Sequence, residues 1–157
     1  ILLLIAMTYD NIGFNAKFVL FVIFSILQGV FLSGSLRYVK ENILRAALYS
    51  TILIFVFFLA IGLALVYFKI DLGGSGLVLL FLLLLLIVSH IVSLFLKPSE
   101  IRERVLTIFG LMIFSAYILF NTNNILLRYR NGRIDCIRGA VNYYLDIINI
   151  FVRMIRQ

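Results

Sequence analysis

Long apolar runs separated by short polar breaks organise this chain. Four runs carry no charged residue, and they cover residues 18–36, 46–68, 72–96 and 105–127. Each run reaches the roughly 17 to 25 residues that an α-helix needs to cross the hydrocarbon of a bilayer. A soluble protein of this size has no core large enough to bury all four. The pattern therefore predicts an all-α, polytopic membrane helix bundle.

The breaks between the runs are short, so consecutive helices must run antiparallel and pack as one compact bundle. We predict breaks at residues 8–17, 37–45, 69–71, 97–104 and 128–138. Pro98 falls in a break, and GGSG at 73–76 lacks the lysine of a phosphate-binding loop, which favours a helix start. The opening ILLLIAM is expected to be the tail of a further spanning helix. No second domain is indicated, so residues 1–157 are expected to form a single transmembrane domain.

Composition agrees with a membrane location and narrows the chemistry. Hydrophobic residues make up 64% of the chain and charged residues 13%, about half the ~25% of a soluble domain. The net charge of +7 lies in short loops rather than on one solvated face, which argues against nucleic-acid binding. Lys and Arg are nearly balanced between the two sides, so orientation stays open. Cys136 is the lone cysteine and is expected to be inert, and no metal site is indicated.

The last segment carries a polar stripe. Its polar residues follow helical steps of four, four, three, four and three: Arg138, Asn142, Asp146, Asn149, Arg153 and Arg156. They fall within an arc of ~80°, and the rest of the segment is apolar. An aspartate at a bilayer centre costs about 2.5 to 3.5 kcal/mol, so this helix is expected inside the bundle, facing a cavity. The alternative is a helix lying flat among the headgroups, which explains Arg153 and Arg156 but not Asp146.

The preceding span carries a matching stripe of Tyr117, Asn121, Asn124 and Arg128, with Gly110 on the same side. Two such stripes can share one hydrated seam, and a small residue lets another helix approach. The alternative is that the asparagines cap the end of the span near the headgroups, most of all Asn123 and Asn124.

Two softer signals remain. His90 is the only histidine; it is a candidate pH sensor, although a hydrogen-bonded packing role is the commoner one. Ser25, Gly29 and Ser33 form a ridge of small residues that suggests a packing surface.

YLDIINIF at 144–151 resembles the central-helix signature of the transmembrane Bax inhibitor motif family, and looks closest to its Lifeguard and Golgi anti-apoptotic branch. FNTNNILL at 120–127 is similar to the family motif Phe/Tyr-Asp-Thr-Gln-x-Ile at the end of the sixth helix. A basic linker and the pair Ile134–Asp135 separate the two motifs, as in the family. The resemblance covers essentially the whole chain, from the tail of the second helix through the seventh. The family's first helix and most of its second would then be absent from this sequence.

The resemblance implies a seven-helix bundle whose last helix is surrounded by the other six. It implies a passive Ca²⁺ leak and suppression of cell death, with Ca²⁺ as transported ion, no cofactor and no enzymatic activity. The expected partners are the lipid bilayer and, beyond it, cell-death regulators or other membrane proteins. The expected membrane is of endoplasmic reticulum or Golgi type, a viral inner membrane or a bacterial inner membrane, and the sequence does not distinguish among these. The predicted ion pathway comprises Asp146, Asn121, Asn142, Asn149 and Asn124, with Arg128, Arg138 and Arg153 at its ends.

The sequence departs from the family at one position of its proposed gate, a pair of aspartates that shares a proton. Asp146 matches the aspartate of the seventh helix, whereas Asn121 replaces that of the sixth. Because an amide does not ionise, we expect pH gating to be altered or lost. The alternative is a membrane scaffold that reuses the bundle without transport. An intramembrane hydrolase is disfavoured, since the sequence lacks a second intramembrane acid, HExxH and a GxSG serine motif.

Overall fold

The computed structural model describes residues 13–132 and 135–156, and these residues form five α-helices. The helices are α1 Phe14–Leu36, α2 Glu41–Tyr67, α3 Gly76–Phe95, α4 Glu100–Arg130 and α5 Cys136–Arg156. A 3-10 turn at Gly73–Ser75 leads into α3, as the GGSG stretch predicts. No strand occurs in the described ranges, so the prediction of an all-α membrane bundle is confirmed. The predicted helix tail at residues 1–7 lies outside the described residues.

Four of the five helices in the described residues are long and apolar enough to cross a membrane. In the most apolar 18-residue stretch of each helix, the share of buried residues is only 6% in α1, 17% in α2 and 11% in α3. These helices therefore turn most of their apolar side chains outward. Such apolar surfaces require lipid rather than water around them, and a helix can enter lipid because its backbone polar groups hydrogen-bond within it. The corresponding stretch of α4 is 50% buried, which places α4 inside the bundle. The chain is therefore an integral, multi-pass membrane protein.

The helices extend further into the polar breaks than predicted. Lys17, assigned to the break at 8–17, lies in the first turn of α1, which begins at Phe14. Likewise α4 begins at Glu100 and continues to Arg130. The prediction was wrong at these ends because charge opposes burial in hydrocarbon but does not oppose helix formation. Charged residues can therefore occupy the terminal turns, where they reach the headgroups.

A lysine in the left-handed conformation ends α2. Lys69 has a φ of 59°, a region that usually requires glycine. Its N–H donates to the carbonyl of Val66, and the next N–H, of Ile70, donates to the carbonyl of Leu65 at 2.9 Å. These two bonds form a Schellman motif, which satisfies carbonyls at the helix end and turns the chain sharply.

The connection from α2 to α3 is held by a side chain from α4. The buried Asn123 donates from Nδ2 to the carbonyl of Ile70 at 2.7 Å and accepts the N–H of Leu72 on Oδ1 at 3.0 Å. A buried amide must satisfy its donors and acceptors, and here backbone groups of the loop do so. The contact fixes one end of the bundle next to α4.

Apolar packing holds α5 inside the bundle. One buried cluster joins α3, α4 and α5, and its members are Leu86, Ile113, Phe114, Ile118 and Ile150. A second cluster, Ile137 and Val141 of α5, packs against Leu20, Phe21 and Phe24 of α1. Tyr143 of α5 packs edge-on against Phe55 of α2. These contacts favour the packed helix over the flat, interfacial one.

Two glycines in the apolar helices have opposite environments. A Cβ added at Gly62 of α2 would lie 2.9 Å from the Cβ of Thr122 on α4, so the two helices approach closely there. A Cβ added at Gly29 of α1 would meet nothing within 4 Å. The predicted ridge of Ser25, Gly29 and Ser33 therefore packs against no described helix at its glycine.

We expect Gly62→Ala to destabilise the protein by about 1 to 3 kcal/mol, because the added methyl group forces α2 and α4 apart. Gly29→Ala, the matched control, is expected to leave stability unchanged or to raise it slightly through higher helix propensity. Thermal unfolding in detergent, followed by the fraction that remains monodisperse, would measure both. Equal stability of the two variants would contradict the close approach at Gly62.

Candidate functional site

Asp146 lies at the middle of α5 and is 4% exposed. Its Oδ2 accepts a hydrogen bond of 2.6 Å from Nδ2 of Asn121 on α4. The other end of the same amide, Oδ1 of Asn121, accepts a long bond of 3.4 Å from Nδ2 of Asn142. A carboxylate and two amides thus form one chain across the α4–α5 contact. The two motifs singled out in the sequence meet at this point.

A cavity of about 790 Å³ opens beside Asp146 between α3, α4 and α5. Leucines, isoleucines and aromatic side chains make up its apolar wall. Its polar wall is formed by Asn121, Asn142, Asp146, Asn149, Arg153 and Arg156, with His90 on the α3 side. The polar stripe of α5 faces a cavity, as the sequence predicts. His90 Nδ1 lies 2.9 Å from the carbonyl of Leu86, which suits a packing role, and its gating role stays a prediction.

A second cavity of about 600 Å³ lies toward the start of α5. It contains the remaining predicted residues, Asn124, Arg128 and Arg138. Asn121 and Asn142 line both cavities, so the two spaces meet at this amide pair. We call the combined space from Arg156 to Arg138 the seam. All predicted site residues line the seam, and their assignment to an ion pathway stays a prediction.

The guanidinium of Arg153 is held against α4 near the far end of the seam. Its Nη1 donates to the carbonyl of Leu106 at 3.2 Å, and its Cζ lies 5.3 Å from the centre of the Phe114 ring. A Cβ at Gly110 would overlap this guanidinium, so Gly110 leaves room for a side chain of α5. Nε of Arg153 is buried and has no hydrogen-bond partner among the described residues.

The stretch around Asn121 contacts three other parts of the fold. Phe120 lies against Gly76 at the start of α3. Thr122 Oγ1 donates to the carbonyl of Ile118 and accepts from the hydroxyl of Tyr143 on α5, both at 2.7 Å. Asn123 is fully buried against the α2–α3 connection, where its amide caps backbone groups of the loop. Asn124 is half-buried and lines the second cavity.

An ion pair anchors the start of α5. Lys17 Nζ of α1, 6% exposed, lies 2.7 Å from Oδ2 of Asp135. Oδ1 of Asp135 accepts the N–H of Arg138 at 3.1 Å and so caps the helix. Partial burial alone would raise the pKa of Asp135. The hydrogen bonds from Lys17 and from the Arg138 N–H, with the positive charges of both residues, outweigh it and hold the pKa below its ordinary value.

The sequence reasoning missed this ion pair and the roles of Asn123 and Tyr143. One signal for the pair was present, since helix alternation puts Lys17 on the same side of the bundle as the 128–138 linker. The partners of Asn123 are backbone groups 51 and 53 residues away, which no spacing rule identifies.

Comparison with known proteins places these motifs in a family. The family model described as "Inhibitor of apoptosis-promoting Bax1" matches residues 1–157. The chain is 27% identical over 144 residues to Bax inhibitor 1 of Schizosaccharomyces pombe, covering 92% of the chain and 52% of that relative. It is 28% identical over 88 residues to the Golgi anti-apoptotic protein of vaccinia virus strain Lister, covering 56% of the chain and 36% of the relative. It is 32% identical over 73 residues to Protein LIFEGUARD 4 of Arabidopsis thaliana, covering 46% and 29%. The chain thus spans about half the length of these relatives or less.

We expect Asp135→Asn to destabilise the protein by about 1 to 3 kcal/mol more than Lys17→Met. The Asn variant leaves a buried ammonium without its counter-charge, whereas the Met variant removes that charge and keeps the cap on α5. Thermal unfolding of both variants in detergent at pH 7 would measure the difference. The reverse order would contradict the contribution of the ion pair.

The same pair predicts a pH dependence. Because folding lowers the pKa of Asp135, its stabilisation is present above the unfolded-state pKa and is lost as the pH falls through the lower folded-state pKa. The stability difference between wild type and Asp135→Asn is therefore expected to persist at pH 7 and to shrink below about pH 4.

Proposed function

The chain belongs to the Bax inhibitor family, and we propose that it provides a passive leak for Ca²⁺ along the seam between α4 and α5. The observation that carries the proposal is the meeting of two cavities at Asn121 and Asn142, next to the carboxylate of Asp146. Intramembrane acids usually line ion pathways or hydrated cavities, because hydrocarbon does not tolerate their charge.

The size and chemistry of the seam suit a hydrated cation. Each cavity, at about 790 and 600 Å³, has room for several water molecules of roughly 30 Å³ each. Amide and carboxylate oxygens of Asn121, Asn142 and Asp146 are hard ligands of the kind that Ca²⁺ takes. The hydrogen-bonded side chains of Asn142, Asn121 and Asp146 lie where the two cavities meet. They would close the path, because their hydrogen bonds cross from α4 to α5.

The replacement of an aspartate by Asn121 is the basis for an altered pH response. Two carboxylates at this separation would share a proton, and loss of that proton would drive them apart. An amide that donates to Asp146 at 2.6 Å imposes no such repulsion. Opening would then depend on breaking the two hydrogen bonds that the Asn121 side chain forms with Asp146 and Asn142. The hydrogen bond from Asn142, at 3.4 Å, is the longer and weaker of the two.

We extend the proposal to the cell. Ion homeostasis of an internal, viral or bacterial membrane would be the direct role, and suppression of cell death would follow in a host that has the pathway. The names of the relatives Bax inhibitor 1 and Golgi anti-apoptotic protein support this extension. Cell-death regulators and other membrane proteins are the proposed partners.

The second candidate is a scaffold that assembles with other membrane proteins and conducts nothing. Asn121 favours it, because the pair of acids that the family resemblance implies for gating is not present. The broad apolar faces of α1 and α3 offer surface for such assembly. Flux measurements separate the two candidates.

We expect Asp146→Asn to lower the flux of Ca²⁺ from liposomes about 5- to 10-fold, equivalent to about 1 to 1.4 kcal/mol in the barrier. The full-length protein would be reconstituted and Ca²⁺ release followed from about pH 6 to pH 8. Asn121→Asp is expected to strengthen the pH dependence, because two carboxylates then compete for one proton.

Tyr144→Phe is the control for this experiment. Tyr144 packs against Phe21 and Phe24 of α1, away from the seam, so its substitution should leave the flux unchanged. A folded wild-type protein that releases no Ca²⁺ at any pH would overturn the leak and leave the scaffold.

A further inference from the structure

The second cavity has a positively charged mouth. Arg128 lies in the last turn of α4 and Arg138 in the first turn of α5, and both line the cavity. Neither guanidinium forms a hydrogen bond or an ion pair with any residue in 13–132 or 135–156. Asp135 is the acid in the described lining of this mouth; Lys17 pairs with it at 2.7 Å, and the charge of Arg138 also acts on it. Among the described residues at this mouth, the positive charges of Lys17, Arg128 and Arg138 outnumber the single negative charge of Asp135, so the potential there is positive.

The opposite end of the seam is more nearly balanced. Arg156 lines both the first cavity and a third one, of about 690 Å³, whose wall also contains Glu100, Glu103 and Arg104. Arg153 is held over the ring of Phe114. At this end Glu100 and Glu103 offset Arg104 and Arg156, although Arg153 keeps its charge; among the described residues the larger positive excess therefore lies at the mouth with Arg128 and Arg138.

We infer that Arg128 and Arg138 determine the valence selectivity of the seam, admitting monovalent cations more readily than Ca²⁺. This inference rests on the proposed leak. A positive potential at a mouth reduces the local concentration of a cation by a factor whose logarithm is proportional to the ionic charge. If the mouth lowers the entry of K⁺ by a given factor, it lowers the entry of Ca²⁺ by the square of that factor.

The square relation gives a quantitative test. Wild-type protein and the double variant Arg128→Gln/Arg138→Gln would be reconstituted at matched density, and K⁺ and Ca²⁺ release measured separately. We expect the double variant to raise K⁺ flux about twofold and Ca²⁺ flux about fourfold at ~50 mM choline chloride. At ~500 mM choline chloride the ratio of variant to wild-type flux should approach one for both ions, because screening shortens the reach of the charges to a few ångströms.

Two variants control for shape and for general surface charge. Arg130→Gln removes an exposed charge in the same turn of α4, from a side chain that lines neither cavity, and should therefore change both fluxes less than the double variant does. Arg128→Lys/Arg138→Lys keeps the charge in a different shape and should retain the selectivity of the wild type. Equal thermal stability of all variants in detergent would establish that each has folded.

The outcomes separate the inference from the proposed leak. Equal increases for both ions, independent of salt, would assign the arginines a steric role and overturn the inference. Unchanged fluxes in the double variant would place the mouth off the pathway and also overturn it, while leaving the leak intact. Absence of K⁺ and Ca²⁺ release from folded wild-type protein would instead overturn the leak itself.

Discussion

A carboxylate inside an apolar helix bundle must have a polar partner, and the architecture around Asp146 follows from that requirement. The free energy of burying a charge without hydrogen bonds is far larger than the stabilisation from any one contact between helices. A hydrogen-bond donor must therefore lie at the same depth in the bundle as the carboxylate. Asn121 is that donor. Its position requires α4 and α5 to run side by side with their polar stripes facing each other. The cavities on either side exist because the polar faces do not pack as apolar faces do.

Consecutive residues of α4 stabilise this arrangement by contacting different parts of the fold. Successive helical positions point about 100° apart, so neighbours in sequence contact different parts of the fold. Phe120 meets α3, Asn121 meets α5, and Thr122 lies between Gly62 of α2 and the hydroxyl of Tyr143. Asn123 reaches the α2–α3 connection. Substitution of any one of these positions would therefore disturb a different interface, although all four lie in one helical turn.

The periodicity of the sequence predicts faces, and the structure adds the partners. The spans and the buried last helix were accessible because charge, length and helical spacing are local properties, whereas the pairing of Asn121 with Asp146 was implied by the family resemblance. The helix ends were predicted too short, since charged residues such as Lys17 are compatible with a helix that reaches the headgroups. The pair of Lys17 and Asp135 was not predicted, because it joins residues 118 apart whose approach depends on the packing of α1 against α5.

The bond between Asn123 and the α2–α3 connection also bears on the order in which the bundle is made. The carbonyl of Ile70 and the N–H of Leu72 precede their partner by 53 and 51 residues. When the α2–α3 hairpin leaves the ribosome, the amide that holds its turn in the folded protein has not yet been synthesised. Until α4 is made, the carbonyl of Ile70 and the N–H of Leu72 lack the partner that they have in the folded protein. The α2–α3 connection can therefore form its final hydrogen bonds with Asn123 only after α4 has been synthesised.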